Sequence, residues 1–368
     1  MRRVQRRRIL AGTFALVTGF TGFNCYAGRA NSAATRAATA ARTDGLTVYR
    51  RRTLAFGTRV QISVATDTRE QAQQALAAAL AEIEQLDSIL SLYRPDSAVC
   101  RLNRNGRLDN ADPRLLELLN VATRWSQASV GAFDVTVQPL WDLYADAARQ
   151  RRVPDDLAVQ TTLNRVGWRH LAVRERSAHF LRPAMALSLN GIAQGYATDR
   201  ALLQLRRHGV HHALVDAGEF AALGSRPSSM SSLSSQSSAS SRSSASSQSS
   251  PWRVAVRHPR LADQSLGTVP MQDMALATSG DYEFSFSEDR VHHHIFDPRV
   301  GRSPLELAAV TVRANNATDA DALSTACMVL GVEAGLALLN DTPGAQGLFV
   351  RKDQSLIKTA GFELLPAR

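Results

Sequence analysis

Asp321 and Thr325 stand four residues apart in the run Asp321-Ala322-Leu323-Ser324-Thr325. On a helix that spacing puts both side chains on one face, one turn apart. Two oxygen groups so placed can hold a hard cation such as Mg2+, which takes oxygen ligands and leaves positions open for phosphate oxygens. The apolar run from Ala326 to Leu330 suits a buried continuation of that helix. The same residues also fit an ordinary helix start, with Asp319 or Asp321 near the first free amides and Thr325 simply packed. Upstream lie His292, His293 and His294. On a strand His292 and His294 would share a face, which invites a transition-metal reading. Solvent-facing or core-satisfied imidazoles are the plainer reading for His292 and His293.

Several elements must position these groups. Alternation in Val60-Gln61-Ile62-Ser63-Val64 predicts a strand. From Arg69 to about Leu92 apolar residues recur at helical spacing, and a polar turn at Ser91 to Ser97 follows. A second helix is predicted from Pro113, a favoured first position, to Ala128. A loop follows at Gly131 to Thr136. Residues 171–189 read as strands interrupted at Arg182-Pro183, Gly195 to Arg207 as a helix, and Ala213 to Asp216 as a buried strand. Thr278-Ser279-Gly280-Asp281-Tyr282 reads as a turn or helix start after a strand ending near Ala277.

The net charge of +10 suggests nucleic acid only until it is located. Residues 1–52 hold eleven arginines and one acid, and the remainder balances at 32 basic against 32 acidic residues. No basic patch interleaved with aromatics occurs, so no nucleic-acid partner is expected. The early arginines belong to a leader: Arg6-Arg7-Arg8-Ile9-Leu10 opens an apolar run to about Phe23, too short for a comfortable membrane span. Its pattern resembles the twin-arginine export consensus, with an ordinary secretory signal as the alternative, and predicts a periplasmic protein. If the leader is retained it would tether the chain to the inner membrane. Leader and tether occupy residues 1–43, and 44–368 form the functional domain. Residues 226–250 are almost entirely serine and are expected to be a disordered insertion, an expanded hairpin loop between the strands 213–223 and 252–257. Cys100 and Cys327 lack metal-ligand spacing and read as buried thiols.

Five separated stretches together resemble the ApbE family of FAD:protein FMN transferases. These are Leu92-Tyr93-Arg94-Pro95-Asp96-Ser97 with Leu102-Asn103; Gly131-Ala132-Phe133-Asp134-Val135-Thr136; Asn190-Gly191-Ile192-Ala193-Gln194-Gly195-Tyr196-Ala197-Thr198-Asp199; Ala277 to Tyr282; and His294 to Gly301 with Ala320 to Ala326. Gln194 stands where many members have lysine, Asp216-Ala217-Gly218-Glu219 where many have N-x-G-G-D, and Val300 where threonine is usual. With the leader, these departures resemble the NosX branch linked to nitrous-oxide reductase maturation.

The resemblance implies an α+β fold of mixed, largely antiparallel sheets with packed helices and an active cleft between two lobes. It implies transfer of the FMN half of FAD to a threonine or serine hydroxyl of an acceptor protein, with release of AMP. That acceptor could be a membrane electron-transfer subunit. It further implies Mg2+ held by the Ala193 carbonyl, Asp321 and Thr325. Gly191, Gly195 and Tyr196 would cradle phosphate and adenine, Tyr93 would stack on flavin, and Asp134, Thr278 and Asp281 would line the FAD site. His294 would act either as base toward the acceptor hydroxyl or as a phosphate ligand. A Mg2+-dependent FAD pyrophosphatase and a non-catalytic FAD-binding accessory are the alternatives.

Overall fold

The computed structural model describes residues 42–43, 46–227 and 250–367. The leader and nearly all of the serine tract lie outside the described residues. Three strands come first: β1 (Arg42–Thr43), β2 (Leu46–Ala55) and β3 (Thr58–Thr66). On β3, Val60, Ile62 and Val64 are fully buried, as the alternation predicts. The helix α1 (Arg69–Leu90) starts where the Thr68 hydroxyl accepts from the Gln71 amide. It buries Ala72, Ala75, Leu76, Ala79, Ile83 and Leu86, a stripe at helical spacing.

The short helix α2 (Ala98–Asn105), capped by Ser97 and ended by left-handed Gly106, leads into β4 (Arg107–Asp109). Then follow α3 (Pro113–Ala128), capped by Asp112, α4 (Gln138–Arg149) and α5 (Asp156–Leu163). β5 (Leu171–Val173) and β6 (Ser177–Phe180) join β4 in a three-stranded sheet. The strand character expected to run on to residue 189 stops at Phe180. Beyond the break at Arg182-Pro183 the chain is irregular. There Asn103 holds Leu187 by its amide and carbonyl, at 2.8 and 2.9 Å.

The second half supplies α6 (Ala193–Arg207), β7 (His212–Asp216), β8 (Phe220–Leu223), β9 (Trp252–Arg257), β10 (Ser265–Met271), β11 (Ala275–Gly280) and β12 (Leu307–Ala314). It ends with α7 (Ala317–Asn340), β13 (Gln346–Arg351) and β14 (Leu356–Lys358). The main sheet runs β1-β2-β3-β7-β8-β11-β12-β13-β14, and every registered pair in it is antiparallel. Alternation divides its two faces. Ala275 and Ala277 of β11 and Phe349 of β13 join the core made with α1, α3, α6 and α7. Leu276, Leu348 and Val350 face the opposite way, onto the β9–β10 ribbon. A smaller cluster of Leu140, Tyr144, Val159, Val166 and Phe296 forms beside α4 and α5. By length and composition α7 could cross a membrane, yet it is the central core helix here, packed on β11 and β12.

Three local expectations are corrected. Thr278, Ser279 and Gly280 do not turn; they extend β11, paired with Thr311, Val310 and Ala309 of β12. Small polar residues look like a turn, but a partner strand on the other side holds them extended. His292 and His294 do not share a strand face, because only an isolated bridge between Ser285 and His293 forms there. The serine tract does not span a hairpin. β8 pairs with β7 and β11, whereas β9 pairs with β10 in a separate ribbon. The tract's ends still meet: Arg226 and Ser250 exchange both main-chain hydrogen bonds, at 2.7 and 3.1 Å.

Candidate active site

The site forms where the first turn of α6 meets the second turn of α7. The Gly195 amide belongs to the first turn of α6, where helical N–H groups lack intrahelical acceptors. It donates to Asp321 Oδ2 at 3.0 Å. Only glycine fits position 195: a Cβ there would lie 2.2 Å from the Ala317 carbonyl oxygen and 2.8 Å from Asp321 Cβ. Ala193, the first residue of α6, is buried two residues away. At position 191 a Cβ would come 2.9 Å from Thr325 Oγ1, so the whole 191–195 segment lies along the Asp321–Thr325 face of α7.

β11 closes the site from the sheet side. Ser279 shares its inward face with Ala275 and Ala277. Its hydroxyl lies 2.7 Å from Ser324 Oγ and 3.1 Å from Thr325 Oγ1. Ser279 was legible as part of a matching stretch but not as a contact to Thr325, because strand and helix are 46 residues apart. Glu219, just before β8, was also missed as a site residue. Its Oε2 accepts from the Thr278 amide at 3.1 Å, where a neighbouring strand would otherwise offer a carbonyl. Both acids are enclosed, Asp321 at 3% and Glu219 at 7% exposure. Burial raises the Asp321 carboxyl, the Gly195 amide opposes the rise, and the charge of Asp199 adds to it. Burial and then the charge of Asp321 push the Glu219 carboxyl well above the usual range.

His294 sits on the seam between the two cores, since Ile295 belongs to the main cluster and Phe296 to the α4–α5 cluster. Its Nδ1 is 3.0 Å from the Phe284 carbonyl oxygen, an acceptor only, so Nδ1 carries the proton. Burial lowers the imidazole's pKa, against the opposing pull of the Phe284 carbonyl and Asp281. A neutral ring with its proton on Nδ1 leaves the Nε2 lone pair free to accept one.

The remaining predicted residues separate into accessible and enclosed. Tyr93 is 66% exposed, an open ring beside Gly57 rather than a core residue. Thr278 Oγ1 pairs across the sheet with Thr311 Oγ1 at 2.9 Å. Tyr196 is buried, donates to Glu117 at 2.8 Å, and lines a cavity of about 420 Å³ that also touches Arg200, Asn316 and Asp319 but not Asp321 or Thr325. Two of the residues expected to line the FAD site are engaged inside the protein. Asp134 is buried within its own turn, accepting from the Thr136 amide and hydroxyl and from the Trp168 amide. Asp281 is 0% exposed and gripped by both Arg260 nitrogens at 2.7 and 2.8 Å. Both are internal fastenings of the site's walls. The Arg260 pairing spans two β-segments and has no sequence signature.

Among the described residues no group of three His, Cys, Asp or Glu side chains is placed to hold a metal. A cation here would rest on buried carboxylate, hydroxyl and main-chain oxygens, a donor set that fits Mg2+ and not a soft transition metal. Two such carboxylates without a nearby Lys or Arg are a poor arrangement unless a cation or a proton joins them.

Buried oxygen donors gathered at a helix junction suit an enzyme that works on phosphate groups through a hard cation. The ApbE family profile matches residues 56–349, and the chain belongs to that family. The chain is 32% identical to a FAD:protein FMN transferase of Treponema pallidum over 330 residues, covering 85% of this chain and 87% of the relative. It is 28% identical to one of Vibrio cholerae, covering 77% and 81%. Among solved structures, the ApbE protein of Thermotoga maritima matches with a TM-score of 0.71 at 27% identity, covering 85% of this chain and 97% of that one. The apo Pseudomonas stutzeri flavinyl transferase ApbE matches at 0.69 and 30% identity, covering 85% and 94%.

Proposed function

We propose that this chain is a FAD:protein FMN transferase, moving FMN from FAD to a threonine or serine hydroxyl of an acceptor protein. The observation that carries the reading is the Asp321 carboxylate turned onto the Gly195 amide, beside Thr325 and Ser279, in a chain whose relatives are named for this activity. Asp321, Thr325 and the Ala193 carbonyl would hold Mg2+. When bound, that ion would neutralise charge on the diphosphate.

The chain's own groups carry the rest. His294 Nε2 accepts the proton of the acceptor hydroxyl as its oxygen attacks the phosphorus on the FMN side. The bond from that phosphorus to the bridging oxygen breaks, and AMP leaves with the oxygen. The Phe284 carbonyl fixes the ring so that Nε2, not Nδ1, takes the proton. Phosphoryl transfer depends chiefly on positioning and charge neutralisation. The Gly191–Gly195 segment supports both, because it brings main chain against α7 at the two points where a side chain would clash.

The leader supports export to the periplasm, and an electron-transfer protein on that side of the inner membrane is the acceptor class proposed. A reporter fused after residue 43 and active only in the periplasm would test this. The activity is tested by incubating the protein with FAD, Mg2+ and acceptor. Flavin fluorescence that stays on the acceptor in a denaturing gel supports transfer, and its loss in His294→Gln supports the base. Free FMN and AMP without labelled acceptor would make the enzyme a pyrophosphatase. Unchanged bound FAD would make it a flavin carrier.

A further inference from the structure

We infer that Glu219 is an additional protein ligand of the cation at Asp321 and Thr325, binding through Oε1, and that this second carboxylate lets the metal load before FAD. The inference rests on the reading that a divalent cation occupies this site, not on the transfer reaction.

Glu219 is fixed on the site by two contacts of its own and one of its neighbour Gly218. Its Oε2 is held by the Thr278 amide at 3.1 Å, one residue from Ser279, whose hydroxyl is 3.1 Å from Thr325 Oγ1. Its main-chain carbonyl accepts from Thr198 Oγ1 at 3.2 Å, and the same hydroxyl bonds the Gln194 carbonyl at 2.9 Å. Gly218 lies flat on the Gln194 amide, where a Cβ would approach Cδ to 2.7 Å. The 216–219 turn is thereby fastened to the first turn of α6, the turn that also donates to Asp321.

The two carboxylates are built alike. Each is more than nine-tenths buried, and each has one oxygen fixed by a main-chain amide. The other oxygen of each, Oε1 of Glu219 and Oδ1 of Asp321, makes no hydrogen bond among the described residues. Neither acid has a Lys or Arg partner there. Two buried carboxylates fastened to the same helical turn are costly without a counter-charge. Two negative charges match one divalent cation, and the neighbouring hydroxyl and main-chain oxygens complete a hard-donor set. With a single carboxylate the ion would depend on the dinucleotide's phosphates to balance its charge. With two, the protein balances it alone.

The test uses the full chain without FAD, and Mn2+ alone as the probe, its binding read by electron paramagnetic resonance and calorimetry. Wild type is expected to bind one Mn2+ and Glu219→Gln to bind it at least tenfold more weakly. The glutamine carbonyl can keep the Thr278 contact, so the metal-free variant is expected to unfold at a temperature no lower than wild type. A second measurement needs no variant: in crystals soaked with Mn2+, the anomalous peak is expected in contact with both Asp321 and Glu219 Oε1. Equal Mn2+ affinity in Glu219→Gln, or a peak that excludes Glu219, overturns the inference. Absence of Mn2+ binding in wild type overturns it together with the cation reading, whereas failure of acceptor labelling with Mn2+ bound strikes only the transfer reaction.

Discussion

Replacing Asp321 with asparagine separates the two tasks of that side chain. The asparagine carbonyl can still accept from the Gly195 amide, so the α6–α7 joint keeps the bond now made at 3.0 Å. Only the charge is lost. In metal-free protein that charge is unfavourable, since burial and Asp199 push the Asp321 carboxyl from 3.8 to about 7. A gap of that size corresponds to roughly 4 kcal/mol. Relief of buried charge in real proteins is worth about 1–4 kcal/mol, and about 2 kcal/mol is the expected gain here. For about 300 ordered residues, this amounts to a rise of roughly 3 °C in Tm.

The sign follows from proton binding: the native state keeps the proton to higher pH than the unfolded chain, so this group's contribution is lost as pH rises through about 7. Metal-free Asp321→Asn should therefore gain on wild type progressively between about pH 4 and pH 7 and hold its lead above. Saturating Mg2+ should reverse the order. A ligand at a hundred times its Kd stabilises by about 2.7 kcal/mol, and only wild type should respond. Scanning calorimetry at pH 8, with chelator and then with Mg2+, reads both effects. FMN transfer should fall about a thousandfold. A variant that Mg2+ stabilises as much as wild type, or that retains transfer, would refute the assignment of Asp321 to the metal.

Other perturbations probe the walls of the site. Gly195→Ala drives a methyl into the Ala317 carbonyl at 2.2 Å and should cost about 3 kcal/mol by denaturant unfolding. Gly106→Ala is the control: it meets nothing within 4 Å, and its φ of +70° should cost only about 1 kcal/mol. His293 is buried and its imidazole is lowered from 6.5 to about 4, so wild type should lose up to roughly 3 kcal/mol as pH falls through that window. His293→Gln should flatten that acid limb in a series of thermal melts. Tyr93→Ala should leave Tm within about 1 °C, because the ring is exposed, and should raise the KM for FAD. An unchanged KM would remove Tyr93 from the flavin site.

What could be read in advance followed local rules. The four-residue spacing of Asp321 and Thr325, the α1 stripe and Pro113 at the first position of α3 are periodic or positional signals. What escaped was set by partners distant in sequence. Thr278 and Ser279 carry turn-forming side chains but are straightened by β12. Asp281 sits in a matching motif, yet Arg260 claims both its oxygens. Asp134 looks like a ligand and instead closes its own turn on Thr136. Glu219 registers in sequence as a departure from the family pattern, and only the strand pairing of β8 with β11 brings it to the Thr278 amide. The histidine triplet suggested alternation, but chain reversal at Ser285–His293 gives each ring a separate environment.

The reciprocal pair between Arg226 and Ser250 works as a clasp. Once it is fastened, the distance from β8 to β9 no longer depends on how many residues run between the clasped ends. Serines can be added or removed there, as repetitive stretches tend to allow, while Glu219 on one side and the β9–β10 ribbon on the other keep their places. The chemistry is insulated from the most repetitive stretch of sequence the chain contains.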